Sequence, residues 1–207
     1  MALNVMLVES EAGVSDEAAR ELRESGHTTL RCHQAGDAAF PCVGISDPAA
    51  CPLRSHDVDV ALLVRAGTLA QPTVREDGAR CALVQRVPLV VAGPTVLDPY
   101  DAYATRTVDA AGDVVGACEA AAGAPIEAFG ARASAVLAAS LGEAGPVALA
   151  HRVEVTRRHG RLQVHVADGA TMTKDQRSRA AVRITGALRE LDPFATGIDV
   201  GFDGADT

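Results

Sequence analysis

VDVALLV, residues 58–64, is a nearly continuous apolar run. A strand with one wet face alternates apolar and polar residues, whereas a run apolar at almost every position belongs to a strand covered on both faces, the habit of parallel sheets. Arg65-Ala66-Gly67 ends the run, and the chain repeats the same rhythm on either side of it. Leu3 to Val8 (LNVMLV) has the length of a strand. Ser15-Asp16-Glu17 then starts a helix, with Ser15 as N-cap and acids in the first turn. Ala18, Ala19 and Leu22 continue that helix on one face. Thr28 to Cys32 is a second strand. Pro72 to Gln85 reads as a helix with Ala79, Leu83 and Val84 inward. Pro88 to Ala92 is a fourth strand, stopped by Gly93-Pro94. Strands alternating with helices form βαβ units with right-handed crossovers. The fold class expected is α/β, a three-layer parallel-sheet domain over residues 1–110.

Beyond it, residues 111–207 read as a small α+β (αββαβ) module. Val108 to Ala122 and Pro125 to Leu141 are two helices broken at Gly123-Ala124-Pro125. His151 to Arg157 and Leu162 to Val166 alternate apolar and polar, with a hairpin turn at Arg158-His159-Gly160-Arg161. Thr173 caps a helix from Lys174 to Leu191, with Val182, Ile184, Leu188 and Leu191 on its buried face. Ile198 to Phe202 is a last strand. Charge follows the same division. Residues 1–110 hold nine arginines against fifteen acids, and residues 150–190 hold nine basic residues against four acids.

Between the second and third strands lies RCHQAGDAAFPCVGISDPAACPLRSHD, residues 31–57, with three of the five cysteines. A loop this long inside a compact domain is usually functional or disordered. It opens at the carboxyl ends of the strands, where α/β sheets bind ligands. Its spacing is C-H-x8-C-x8-C. Cys32, His33, Cys42 and Cys51 form a candidate metal set, with Cys81 as an alternative fourth donor. Zinc or an iron–sulfur cluster is the cofactor such donors suit. The same thiols also fit a reversible Cys42–Cys51 or Cys32–Cys42 disulfide, or plain burial, and no C-x2-C knuckle decides among these. Read alone, Cys81 is a core-facing helix residue and Cys118 a buried one. The strand ends add Glu9, Ser10, Glu11, Arg65 and Gly93 as a ligand-binding set.

Several activities lack their residues. There is no G-x-G-x-x-G after the first strand, no phosphate-binding G-x-x-x-x-G-K-[ST], no H-E-x-x-H and no nucleophile elbow. The net charge of −8 argues against a chain-wide nucleic-acid footprint. Arg157, Arg158, Arg161, Arg177, Arg179 and Arg183 nonetheless leave a nucleic-acid-associated reading for the second module, although neither a GxxG clamp nor an aromatic platform accompanies them. The N-terminus has no basic region ahead of an apolar stretch, and no apolar run approaches the ~20 residues of a membrane span. A cytoplasmic location is expected, and its reducing chemistry disfavours a permanent disulfide framework.

The order of strands and helices, with Glu9 and Glu11 after the first strand, resembles the flavodoxin-like shell of a response-regulator receiver domain over about the first hundred residues. Glu9 and Glu11 match the metal-holding acids of that family. Val64-Arg65 stands where its phospho-acceptor aspartate ends the third strand, so the resemblance implies the shell without aspartyl phosphorylation. RRHGRLQVHV, followed by a helix and IDVGF, resembles the alkaline-shock-protein family over about seventy residues, which implies assembly or partner binding. The function expected is a non-enzymatic cytoplasmic regulatory or assembly protein with a metal-binding or redox-sensing loop. Its partner would be another protein or a second copy, not nucleic acid. The alternative is an enzyme using the strand-end crevice around Glu9, Arg65 and Cys32.

Overall fold

The computed structural model describes residues 2–34, 38–94, 98–109, 112–142, 153–158, 161–167, 169–193 and 195–204. The chain divides into two compact units, residues 1–123 and 124–207.

The first unit is an α/β fold built on a five-stranded parallel sheet. Its strands are β1 (Asn4–Glu9), β2 (Thr28–Arg31), β3 (Val60–Val64), β4 (Leu89–Ala92) and β5 (Arg106–Val108), in the order β2-β1-β3-β4-β5. That order is one of the two common doubly wound arrangements, with the direction of winding reversing between β1 and β3. The apolar run that opened the sequence is the reason. In β3, Val60 and Leu62 face one layer, Ala61 and Leu63 the other, and all four are fully buried. Each of the valine and leucine side chains contributes about 1.5–3 kcal/mol.

On one face, Val5, Leu7, Leu62 and Val90 pack beneath α1 (Asp16–Glu24) and the start of a long helix introduced below. On the other, Met6, Val8, Leu63 and Val91 pack with Ala79 and Ala82 of α4 (Asp77–Val84), together with Leu53. Two short helices, α2 (Val43–Ser46) and α3 (Pro52–Ser55), lie within the Cys-rich segment. Leu53 of α3 reaches the core, while Phe40 stays exposed. His27 is buried where α1 turns into β2. Its Nδ1 accepts from the Leu3 N–H at 3.2 Å, and its Nε2 faces Glu119 at 3.4 Å.

Strand β5 has no counterpart in the sequence reading, and α5 (Val114–Gly142) replaces two expected helices. Pro125 lies inside α5. It withholds one N–H from the helix, and the surrounding alanines carry the turn across it. The two units meet in sequence at this point: Val114, Ala117, Cys118 and Ala121 belong to the first core, Phe129, Ala133 and Leu137 to the second.

The second unit carries a smaller mixed sheet in the order β6-β7-β8. Strand β6 (Val153–Arg158) is antiparallel to β7 (Arg161–Val166), which is parallel to β8 (Gly197–Phe202). Residues 159–160 of the expected hairpin turn and His151 lie outside the described residues. Leu162, Val164 and Val166 face the core, in strict alternation with exposed Arg161, Gln163 and His165. The last helix, α6 (Lys174–Leu191), starts in a capping box: Gln176 N–H donates to Thr173 Oγ1, and Thr173 N–H to Gln176 Oε1. Its buried face is Ala180, Ile184, Ala187 and Leu188. Val182 is 73% exposed and Leu191 46%, against expectation. Two of the four buried positions are alanines, whose burial hydropathy alone does not show. Among the described residues, no helix is long and apolar enough to cross a membrane.

Candidate functional site

Of the strand-end residues proposed as a ligand set, four are buried and bonded within the protein. Glu9 is 3% exposed. Its carboxylate accepts from the Gly13 N–H at 3.1 Å and from Ser15 Oγ at 2.9 Å, with Arg31 at 3.6 Å and Arg75 at 3.5 Å. Ser15 therefore serves Glu9 and does not cap α1 with its side chain. Ser10 Oγ accepts from the Ala66 N–H at 2.9 Å, and its carbonyl accepts from Thr73 Oγ1 at 3.0 Å.

Arg65 is 2% exposed. Its Nε donates to Glu76 at 2.8 Å, Nη1 to Asp98 at 3.4 Å, and Nη2 to the Leu69 carbonyl at 2.7 Å. Gly93 sits at φ 144°, where a side chain would begin 2.6 Å from the Arg65 carbonyl oxygen. Glu11 is exposed. The guanidinium of Arg65 is occupied in joining β3 to the segments that follow it. Tyr100 is buried beside this group, and its hydroxyl reaches the Glu76 carbonyl at 3.5 Å.

The cysteines behave differently. Cys32 follows β2, and its sulfur rests against α4: a side chain placed on Gly78 would begin 2.7 Å from Cys32 Sγ and 3.0 Å from Val8 Cγ2. Cys81 stands one turn along the same helix, the spacing that puts two side chains on one face. Contrary to the sequence expectation it is exposed rather than turned into the core. Cys42 precedes α2 and Cys51 precedes α3, each half-buried. Both lie against Gly44, with Cys51 Sγ 3.5 Å and Cys42 Sγ 3.7 Å from the point where a Gly44 side chain would begin.

The two pairs form one electrostatic group. Burial pushes the Cys32 thiol up to about 12, and the nearby thiols of Cys42, Cys51 and Cys81 push it in the same direction. Cys81 is raised by its own partial burial first, then by Cys42, Cys51 and Asp77. The four thiols thus come from the end of β2, two points in the Cys-rich segment, and α4. His33 is buried, and Cys81 takes the fourth place in the group. Cys118, by contrast, is a core residue on α5, its thiol pushed up to about 12 by burial. As placed, the sulfurs do not close a coordination shell: among the described residues, no group of three or more His, Cys, Asp or Glu is disposed to hold a metal ion. All five cysteines are free thiols.

Gly78 provides a direct check of this packing. Alanine in a helix interior is ordinarily favoured over glycine by about 1 kcal/mol. Here Gly78→Ala is expected to destabilise the protein by about 1–3 kcal/mol, because the new methyl overlaps Cys32 and Val8. The loss should largely vanish in Gly78→Ala/Cys32→Ala, as read by urea unfolding. A stabilised single variant would mean that Cys32 does not pack on α4.

In the second unit, three of the basic residues are engaged within the unit itself. Arg157 bonds Asp192, Arg161 pairs with Asp199 at 2.9 Å, and Arg177 donates to the Gly169 and Met172 carbonyls. Compared with known proteins, the chain matches no family model and no curated protein.

Proposed function

We propose that this chain is a regulatory or assembly protein, without turnover of its own, whose first unit binds a soft metal ion through Cys32, Cys42, Cys51 and Cys81. The observation that carries the reading is the gathering of four free thiols from four separate places in the chain. Thiolates are the preferred donors of zinc and of iron–sulfur clusters, and four complete a tetrahedral shell. Burial first, and then the neighbouring thiols, hold Cys32 and Cys81 protonated, and a bound metal ion would reverse that electrostatic logic and deprotonate them.

The strand order supports a receiver-like, flavodoxin-like shell put to another use, since Val64-Arg65 leaves no phospho-acceptor. The α+β second unit is read as the part that associates with a protein partner or a second copy. A reducing compartment such as the cytoplasm suits free thiols. An enzyme centred on Glu9 and Arg65 is less well supported, because both side chains are held by neighbours in the same unit.

Untagged protein purified without oxygen should hold one zinc per chain, or iron with acid-labile sulfide. Loading with cobalt should give thiolate-to-metal charge-transfer absorption that disappears in Cys32→Ser and Cys81→Ser. A protein that carries neither metal, takes up neither zinc nor cobalt, and keeps its stability in chelator would overturn the reading.

A further inference from the structure

Gly44 stands between two sulfurs, and its lack of a side chain has a consequence for their chemistry. Cys42 Sγ and Cys51 Sγ both approach the same empty position beside its Cα, so they are separated by no more than about 7 Å. The chain between them is α2, Asp47 and a single 3-10 turn at Pro48–Ala50, exposed along most of its length. Short turns of this kind adjust at little cost, since no buried side chain within residues 43–50 holds them. Cys32 differs in being wedged against Gly78 and Val8, and Cys81 in being carried on a regular helix.

We propose that Cys42 and Cys51 are the pair in this site that closes as a disulfide when a hydroperoxide oxidises the protein. The inference takes the four-thiol metal site as its setting and names how that site is regulated. In the first step one of the two thiolates attacks the peroxide. An S–O bond forms, the O–O bond breaks, and an alcohol, or water from hydrogen peroxide, leaves with the proton. In the second step the other thiolate attacks the sulfenic sulfur, so that S–S forms, S–O breaks and water departs. Two electrons pass from the two sulfurs to one peroxide. A site that has lost two of its four thiolates no longer satisfies a tetrahedral ion, and the metal leaves.

The test uses the full chain, with and without added zinc, treated with one equivalent of hydrogen peroxide and then alkylated. Trypsin leaves Cys32, Cys42 and Cys51 on one peptide. Cleavage before Asp37, Asp47 and Asp57 puts them on three. The expected product links the 37–46 and 47–56 fragments, with Cys32, Cys81 and Cys118 alkylated and zinc released in step with the link. Cys42→Ser and Cys51→Ser should each slow the loss of the first thiols by about tenfold or more, and Cys118→Ser, outside the site, by less than about twofold. A first linkage through Cys32 or Cys81, a link between chains, or oxidation to sulfinic acid without a link overturns the proposal. If no zinc binds yet the Cys42–Cys51 link forms, the metal reading falls and the identity of the oxidisable pair stands. If zinc binds and no link forms, the reverse holds.

Discussion

Replacing Arg65 by methionine is expected to destabilise the first unit by about 3–5 kcal/mol, the usual result of removing one partner from a buried ion group. Arg65, Glu76 and Asp98 have side chains at 0%, 0% and 1% exposure. In the native protein the guanidinium serves both carboxylates and the Leu69 carbonyl. Asp98 Oδ2 already lacks a hydrogen-bond partner among the described residues. Methionine fills much of the same volume and leaves two carboxylates without their cation. Glu76 would keep only the Thr73 N–H, at 2.7 Å. For a unit of this size the midpoint of thermal unfolding should fall by roughly 10 °C or more. Arg65→Met/Glu76→Gln should recover part of the loss, since removing one charge leaves less to be neutralised. A single variant within about 1 kcal/mol of the native protein would show that the buried group contributes little, against the magnitude argued from one-sided disruption.

The second large effect concerns metal affinity and pH. At neutral pH the Cys32 thiol, pushed up to about 12 by burial and by its neighbours, holds its proton, and so does the raised Cys81 thiol. A ligating sulfur must give that proton up, so binding releases protons and is favoured by their scarcity. Affinity for zinc is therefore expected to rise with pH throughout the range below about 12. These two thiols alone contribute roughly a hundredfold per pH unit near neutrality. Stability lent by the metal is correspondingly present at high pH and lost as pH falls. Calorimetric titration in buffers of different ionisation enthalpy counts the protons, with at least two expected. Cys32→Ser should remove one of them and weaken binding by about a hundredfold or more, at least the loss seen when only a supporting neighbour of a ligand is removed. Binding with no proton release would exclude Cys32 and Cys81 as ligands.

How far these features were legible in the sequence depended on how many neighbours each residue has to satisfy. VDVALLV declared a doubly covered strand because both of its faces are buried, and the α/β class followed from it. Arg106–Val108 did not declare itself: three residues at a sheet edge, two of them exposed, carry no pattern. The four-residue helices α2 and α3 are too short for any periodicity to register. On α6, hydropathy pointed to Val182 and Leu191, but beside Ile184 and Leu188 the buried positions are Ala180 and Ala187.

At the site, three cysteines stood out by their crowding in one segment. Cys81 lay far along the chain and read more readily as core. The signal available for it was Gly78, a glycine one turn away on the same helix face, whose absent side chain makes room for Cys32. Arg65 read as a binding residue because it ends a central strand. Its partners Glu76 and Asp98 lie in other segments, and no local pattern announces them.

Helix α5 makes the two halves of this protein awkward to separate. A fragment ending at residue 110, where composition suggests a seam, would lose Val114, Ala117, Cys118 and Ala121, and with them part of the cover that α1 and α5 share over Leu7, Leu62 and Val90. Ending at Gly123 instead keeps that cover intact and cuts through a helix. Anyone dissecting the gene thus has to choose between a partly uncovered sheet and a severed helix, and the severed helix is the gentler injury.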